Sequence, residues 1–280
     1  SRGRVCRKPS AGFSGFTCIF FLPSPKLYLL QGVGRVWGRV ALVAQFSMGP
    51  DQPMSLSKYL EALEGNGYAT VVISTCDSAE PLRFPHGIPE ATVVMRRPNL
   101  GYDFGSWATA LGCIPGVREA PVVLLTNDSL LGPFAPIDHL LEWAAEPGPD
   151  IRGLTASYQF ARHIQSFFLA FRGGILADRP WVDFFNDVRV EPDKDDVVLS
   201  YELGASKVCF SEAYSSDEWV TGPDLGVPYG NPTVDGWRKL MEYDVPFLKR
   251  TIMTHPSTLS EGAEAAAYVA RRYNTDIAQW

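Results

Sequence analysis

The chain has 280 residues, 46% of them hydrophobic and 20% charged, too long and too apolar for a disordered segment or a disulfide-stapled mini-domain. Seven basic groups (Arg2, Arg4, Arg7, Lys8, Lys26, Arg35 and Arg39) and no acid lie in residues 1–39, which leaves 18 basic against 31 acidic residues, a net −13, on the remainder. A body that acidic excludes a general nucleic-acid binder, which needs a cationic face against phosphates, so any bound phosphate must be met by local groups.

Residues 1–38 differ from the rest: a basic start, a nearly continuous apolar run from Phe13 to Leu22, then Pro23, Pro25 and Lys26. The order imitates a secretory signal, yet no small-residue cleavage site follows and the run is too short to span a bilayer. It reads as a poorly ordered extension, with a peripheral membrane-contacting arm and a signal as alternatives.

From Arg39 the pattern becomes regular. Val40 to Ala44 is an apolar run of strand length. After Gly49-Pro50, Leu56, Tyr59, Leu60 and Leu63 recur at helical spacing, and Gly65 and Gly67 end that helix. Ala69 to Ser74, Thr92 to Met95 and Val122 to Leu125 are further strands, with a helix over Ser106 to Leu111 between the last two. Continuous rather than alternating apolar runs predict buried parallel strands, hence a doubly wound, mostly parallel α/β sheet. Beyond Leu154 the periodicity weakens. A strand over Ser166 to Phe171 and helices over Trp181 to Val188, Val197 to Leu203 and Val234 to Met241 predict a mixed C-terminal extension within a domain of residues 39–258, followed by a C-terminal helix over 259–280. Five cysteines (Cys6, Cys18, Cys76, Cys113 and Cys209) include no C-x-x-C pair. They suggest neither a zinc site nor a disulfide framework and read as small buried hydrophobes in a reducing compartment.

In open α/β sheets ligands bind outside the carboxyl ends of the strands, so the residues after each apolar run carry the information. No G-x-G-x-x-G or G-x-x-x-x-G-K-[ST] occurs, which excludes the common dinucleotide and P-loop sites. Asp77 follows the second strand. Arg96 to Ser106 follows the third, with Arg97, Asn99, Gly101 and Asp103 offering charge and close backbone approach, although Asp103 could equally cap the helix. Asn127-Asp128-Ser129 follows the fourth. Its carboxylate suits Mg²⁺ or Mn²⁺ on a diphosphate, and the alternative is an Asx turn. Downstream stand His163, Gln165 and Ser166; Glu202, a carboxylate inside an apolar helix ending at Gly204; Asn231; and the adjacent cations Lys249 and Arg250. Glu202 is either a solvated helix residue or a base facing the cleft.

In this order the stretches Arg97 to Ser106, Asn127-Asp128-Ser129 with Gly132-Pro133-Phe134, Gly153-Leu154-Thr155, His163 with Gln165 to Leu169, Tyr201 to Ser206, Asn231-Pro232-Thr233 and Pro246 to Arg250 resemble the rhamnan synthesis protein F family of bacterial surface-polysaccharide assembly. The resemblance covers about residues 39–250. It implies a GT-A type glycosyltransferase moving L-rhamnose from dTDP-rhamnose to a lipid-linked or oligosaccharide acceptor, in the cytoplasm or at the inner face of the cell membrane. In related inverting enzymes an Asp-x-Asp holds the metal and diphosphate. Here Asp128 stands alone in that motif, leaving the divalent cation open, with Lys249 and Arg250 as the alternative counter-charge.

On this reading Glu202 is the catalytic base and His163 the next candidate. The substrate-binding set is Asp77, Arg97, Asn99, Gly101, Asp103, Asn127, Ser129, Gln165, Ser166, Asn231, Lys249 and Arg250. The rival is a non-catalytic sugar-nucleotide-binding module of an assembly complex. A nucleotidyltransferase is disfavoured because Gln45 to Ser55 carries no cation.

Overall fold

The structure, a computed structural model, describes residues 37–159, 161–189 and 198–280, together with two short strands, β1 (Arg4–Cys6) and β2 (Cys18–Phe20). Four apolar runs become the parallel centre of the sheet: β3 (Arg39–Gln45), β4 (Tyr68–Ser74), β5 (Val93–Arg96) and β6 (Val122–Asn127). Their spatial order is β5-β4-β3-β6, all parallel. Strand order therefore reverses between β3 and β6, and that switch point opens a crevice at their carboxyl ends.

The helices divide between the two faces. Helix α1 (Met54–Gly65) buries Leu56, Tyr59, Leu60 and Leu63 against Ala41, Val43, Val72 and Leu124. Helix α2 (Tyr102–Cys113) buries Phe104, Trp107, Ala108 and Leu111 against Val40, Leu42, Ala44, Val71 and Ile73 on the opposite face. Each such fully buried large side chain contributes about 1.5–3 kcal/mol. Trp107 also ties the switch point together: its indole N–H is shared between Leu42 O and Thr126 O, 3.1 Å from each.

The sheet continues past β6 through antiparallel strands. After the two-residue β7 (Leu130–Leu131), helix α3 (Asp138–Ala145) leads to β8 (Ile151–Ser157), which carries the short β9 (His163–Ile164) on one flank. Strand β10 (Phe168–Arg172) runs antiparallel between β6 and β8, and β11 (Ser216–Thr221) pairs parallel with β8. On the other flank β2 pairs antiparallel with β5, and β1 with β2. The fold is thus α/β with a parallel centre and antiparallel extensions. Most of the basic and apolar stretch before Trp37 lies outside the described residues. Trp37 itself is buried and donates its indole N–H to Pro115 O. No helix among the described residues is long and apolar enough to cross a membrane.

Two helical expectations change. The helix expected to end at Gly204 instead begins as a π-helical turn (Val198–Glu202) and continues as α5 (Leu203–Ser211), after α4 (Arg179–Asn186). Gly204 is no stop signal: a Cβ there would stand 3.2 Å from the Phe184 ring, so the glycine permits close helix packing. Asp103 does not cap α2 either. Gly101 is the N-cap, in the left-handed region at φ 77°, with no side-chain cap. The C-terminal part adds α6 (Trp237–Glu242), β12 (Leu248–Lys249), α7 (Arg250–Thr254) and α8 (Leu259–Tyr273). Leu131, Trp237, Met241, Leu248, Ile252, Ala265, Val269 and Ile277 form its apolar core.

Candidate active site

At the β3/β6 crevice, Asn127 ends β6 and Asp128 is the first residue beyond it. The Asp128 N–H donates to Ala44 O at 3.1 Å, which holds its backbone at the carboxyl ends of β3 and β6. Burial is the main force on this carboxyl and pushes its pKa from 3.8 up to about 7. The nearby Asp103 adds to the rise, while Arg250 and the backbone N–H of Phe46 oppose it.

Around Asp128 a polar relay crosses three segments. Lys249 Nζ donates to Ser129 Oγ at 2.9 Å, Ser129 Oγ to Asn127 Oδ1 at 2.6 Å, and Asn127 Nδ2 to Asp103 Oδ2 at 2.7 Å. The Ser129 N–H also donates to Asn127 Oδ1 at 3.1 Å, so the Asx turn forms and orients the motif. Arg250 Nε donates to Asp128 O at 2.9 Å, whereas its Nη2 is buried without a hydrogen-bond partner. Burial lowers the Arg250 pKa, with Asp128 opposing. The cations reach the crevice because β12 pairs antiparallel with β7, setting Lys249 opposite Leu130.

A second cluster arrives from β10. Phe168 lies opposite Thr126, so the segment ahead of it leaves the sheet at the same end as Asp128. Both Ser166 groups, N–H at 3.2 Å and Oγ, donate to Glu202 Oε1. The other carboxylate oxygen stands 3.7 Å from His163 Nε2. His163 is buried and its Nδ1 lies 2.8 Å from Ala161 O; a carbonyl only accepts, so Nδ1 carries the proton. Gln165 accepts from Thr155 Oγ1 at 2.6 Å and donates to Asn231 Oδ1 at 3.1 Å. Glu202 thus faces Ser166 and His163 and is no solvated helix residue.

A model of the family described as rhamnan synthesis protein F matches residues 90–278. The chain belongs to that family. Rhamnan synthesis protein F is a description from polysaccharide synthesis, and the match spans both clusters but leaves β3 and β4 outside. Two relatives are also similar. A Sinorhizobium fredii protein described as uncharacterized protein y4gN is 23% identical over 200 residues, 69% of this chain and 52% of its own length. Virulence protein VirA of Vibrio anguillarum is 38% identical over 82 residues, 28% of this chain and 25% of its own. The chain therefore spans about half the length of one relative and a quarter of the other.

Among the residues singled out from the sequence, the fold brings Asp103, Asn127, Asp128, Ser129, Lys249 and Arg250 together, and separately Glu202, His163, Ser166, Gln165 and Asn231. Others it uses differently. Arg97 is buried and spends its guanidinium on Leu100 O and, at 3.2 Å, Ser106 Oγ, bracing the loop that carries Asn99 and Gly101. Asn99 and Asp77 are exposed at the exits of β5 and β4, and the Asp77 N–H donates to Ser47 O at 3.0 Å.

Three participants lie in strand-exit stretches that the sequence marks, Gln45 to Ser47 and Thr126 to Ser129, but have no role assigned from sequence. Thr126 Oγ1 donates to Phe167 O at 2.7 Å, so the Tyr59 hydroxyl, 3.0 Å away, donates to Thr126; this pins β10 to the crevice. Phe46 supplies its backbone N–H to Asp128, a contribution no side-chain pattern reveals. Gln45, at the end of β3, is buried with neither amide atom hydrogen-bonded, and a lone amide closing an apolar run is a usable signal. Beneath these groups lies a cavity of about 10 Å³ lined by Ser55, Tyr59, Thr126, Asp128 and Phe247, room for about one water. That cavity is too small for anything larger than a water.

Proposed function

We propose that this chain is a sugar-nucleotide-dependent glycosyltransferase of GT-A type, an inverting rhamnosyltransferase moving L-rhamnose from dTDP-rhamnose to a growing cell-surface polysaccharide. The observation that carries the reading is the meeting, at the β3/β6 switch point, of two carboxylates (Asp103 and Asp128) with two cations (Lys249 and Arg250). Such a set recognises a diphosphate.

The acceptor hydroxyl attacks the anomeric carbon from the face opposite the diphosphate. The new C–O bond forms as the old one breaks, its electron pair leaves on the diphosphate, and the hydroxyl proton passes to Glu202. Ser166 holds one Glu202 oxygen and His163 stands beside the other, which fixes the base before substrate arrives. Lys249 and Arg250 meet the leaving charge, and the buried, unpartnered Arg250 Nη2 is a donor with capacity to spare.

Asp103 and Asp128 fit a divalent cation, Mg²⁺ or Mn²⁺, because two hard carboxylates are the usual protein share of such a site, with phosphates and water completing it. When bound, the cation neutralises charge on the diphosphate. Asp77 and Asn99, at neighbouring strand exits, extend the donor side, while Gln165 and Asn231 extend the acceptor side. A lipid-linked or oligosaccharide acceptor would be met at the inner face of the membrane, with the basic and apolar residues before Trp37 contributing lipid contact.

Calorimetry with dTDP-rhamnose, UDP-glucose and GDP-mannose, with and without MgCl₂, followed by dTDP release on a lipid-linked rhamnan primer, tests the reading. Preferential binding of dTDP-rhamnose, weakened at least tenfold by Asp128→Asn, and acceptor-dependent dTDP release are expected. Failure of the intact chain to bind any nucleoside diphosphate sugar overturns it, and binding without turnover leaves a non-catalytic assembly module.

A further inference from the structure

A cavity of about 190 Å³ opens away from the crevice, lined by Ala135, His139, Asp244, Pro246, Arg272 and Tyr273. It lies between the start of α3, the turn before β12 and the end of α8. Its volume far exceeds the ~10–15 Å³ that one water requires, so it accommodates a small ring. The aromatic wall is held in place: Tyr273 stacks on Phe134 at 5.6 Å between centroids, and Arg272 lies over the Tyr273 ring at 5.6 Å.

The polar groups are mixed in kind. His139 Nε2 stands 2.9 Å from Asp244 O, and since a carbonyl only accepts, Nε2 is the donor and Nδ1 is the other ring nitrogen available to a ligand. Arg272 donates to Met241 O at 3.1 Å and to Tyr273 Oη at 3.2 Å, and its Nη2 lies 3.7 Å from the Asp244 carboxylate. Asp244 adopts φ 58°, a left-handed conformation that Asp tolerates better than most residues. Arg272 and Asp244 cancel in charge, so the cavity offers donors and acceptors without net charge. That suits a polyhydroxyl ring and gives no advantage to a phosphate or carboxylate, which would meet Asp244 as a like charge.

The cavity is also connected to the crevice. The β7/β12 ribbon carries Ser129 and Arg250 at one end, joined by Arg250 N–H to Ser129 O at 3.1 Å, and Phe134 and Pro246 at the other, joined at 2.9 Å. Four residues separate the ends, at most roughly 13 Å at ~3.3 Å per residue. A glycan whose growing end lies beside Asp128 can therefore reach the cavity with a more distant sugar.

We propose that this cavity is a second glycan subsite that holds a neutral sugar ring of the acceptor chain while its growing end occupies the crevice. The proposal rests on the glycosyltransferase reading for its role, but binding alone tests the site. Two variants are used in the full-length chain: Asp244→Asn, which keeps size and left-handed tolerance but removes the charge balance, and Ala135→Phe, which fills the cavity without removing a polar contact. Calorimetry with a reducing-end-free rhamnose hexasaccharide should show affinity reduced about tenfold in both, at unchanged melting temperature. In turnover assays KM for the hexasaccharide should rise about tenfold while KM for a disaccharide and kcat stay as in the parent. Wild-type hexasaccharide affinity in both folded variants overturns the subsite. If hexasaccharide binding falls as expected while no donor is ever turned over, the subsite stands and the glycosyltransferase reading fails.

Discussion

Replacing Asp128 by Asn should move stability and activity in opposite directions. The carboxyl has a pKa of about 7 in the folded chain against 3.8 for an unperturbed Asp, chiefly because burial disfavours its charged form. Between those values the native state binds a proton that the unfolded state has released, so stability falls as pH rises through this window. At ~1.4 kcal/mol per pH unit the penalty approaches about 4 kcal/mol above pH 7 as an upper bound. Asn carries no charge and keeps an oxygen to accept the Phe46 N–H. The variant should match the parent below about pH 4, gain through the window and level off about 1–4 kcal/mol more stable above pH 7, while losing turnover by about 10²-fold or more. Urea unfolding at pH 4, 5.5, 7 and 8.5 in the presence of a chelator measures the difference. A variant no more stable than the parent at pH 8.5, with the same pH slope, would refute the idea that Asp128 is held desolvated at the crevice.

Three further outcomes are expected. Glu202→Gln should preserve donor affinity and lower the single-turnover rate about 10²–10⁴-fold; weakened binding at an unchanged bound-state rate would reassign Glu202 to donor binding. Trp107→Phe removes the indole N–H shared by Leu42 O and Thr126 O and should cost about 1–3 kcal/mol, read from the midpoint of chemical unfolding; an unshifted midpoint would show that the two strands do not depend on that bond. Deleting residues 1–36, which spares the buried Trp37 but removes β1 and β2 from the sheet edge, should abolish salt-sensitive binding to anionic liposomes while the rest of the chain still unfolds cooperatively, and a truncated protein that still sediments with vesicles would contradict this.

The parallel centre was legible because its strands are buried on both faces, so each reads as an unbroken apolar run: Val40 to Ala44 and Val122 to Leu125 both became strands extending one or two residues beyond them. Strand β8 was not legible, for Arg152 and Thr155 interrupt its apolar pattern. Both are buried because groups six to ten residues away in the chain meet them, Arg152 at the Trp143 and Glu146 carbonyls at the end of α3 and Thr155 at Gln165. Strand β11 is an edge strand with Asp217 and Glu218 in its first half, Glu218 pairing with Arg162, and α3 is only eight residues long. At the site, Asp128 and Glu202 were found as carboxylates out of place in apolar surroundings. That Asp103 serves as a second carboxylate beside Asp128 was hidden because it lies 25 positions earlier in the chain, and only the β3/β6 crossover brings the two together.

The reversal of direction at β10 divides the labour of the chain. Because β10 runs against β6, the segment preceding it, not the one following it, leaves the sheet at the Asp128 end, so Asp103 to Ser129 supply one cluster and His163, Ser166 and Glu202 the other. Apart from Asn231, held by Gln165, and the returning pair Lys249 and Arg250, the two clusters come from consecutive blocks of sequence. On the proposed glycosyltransferase reading, chimeras that exchange residues from about 150 to 220 between family members should alter acceptor selection at the growing end while leaving donor preference and the more distant sugar subsite with the parent.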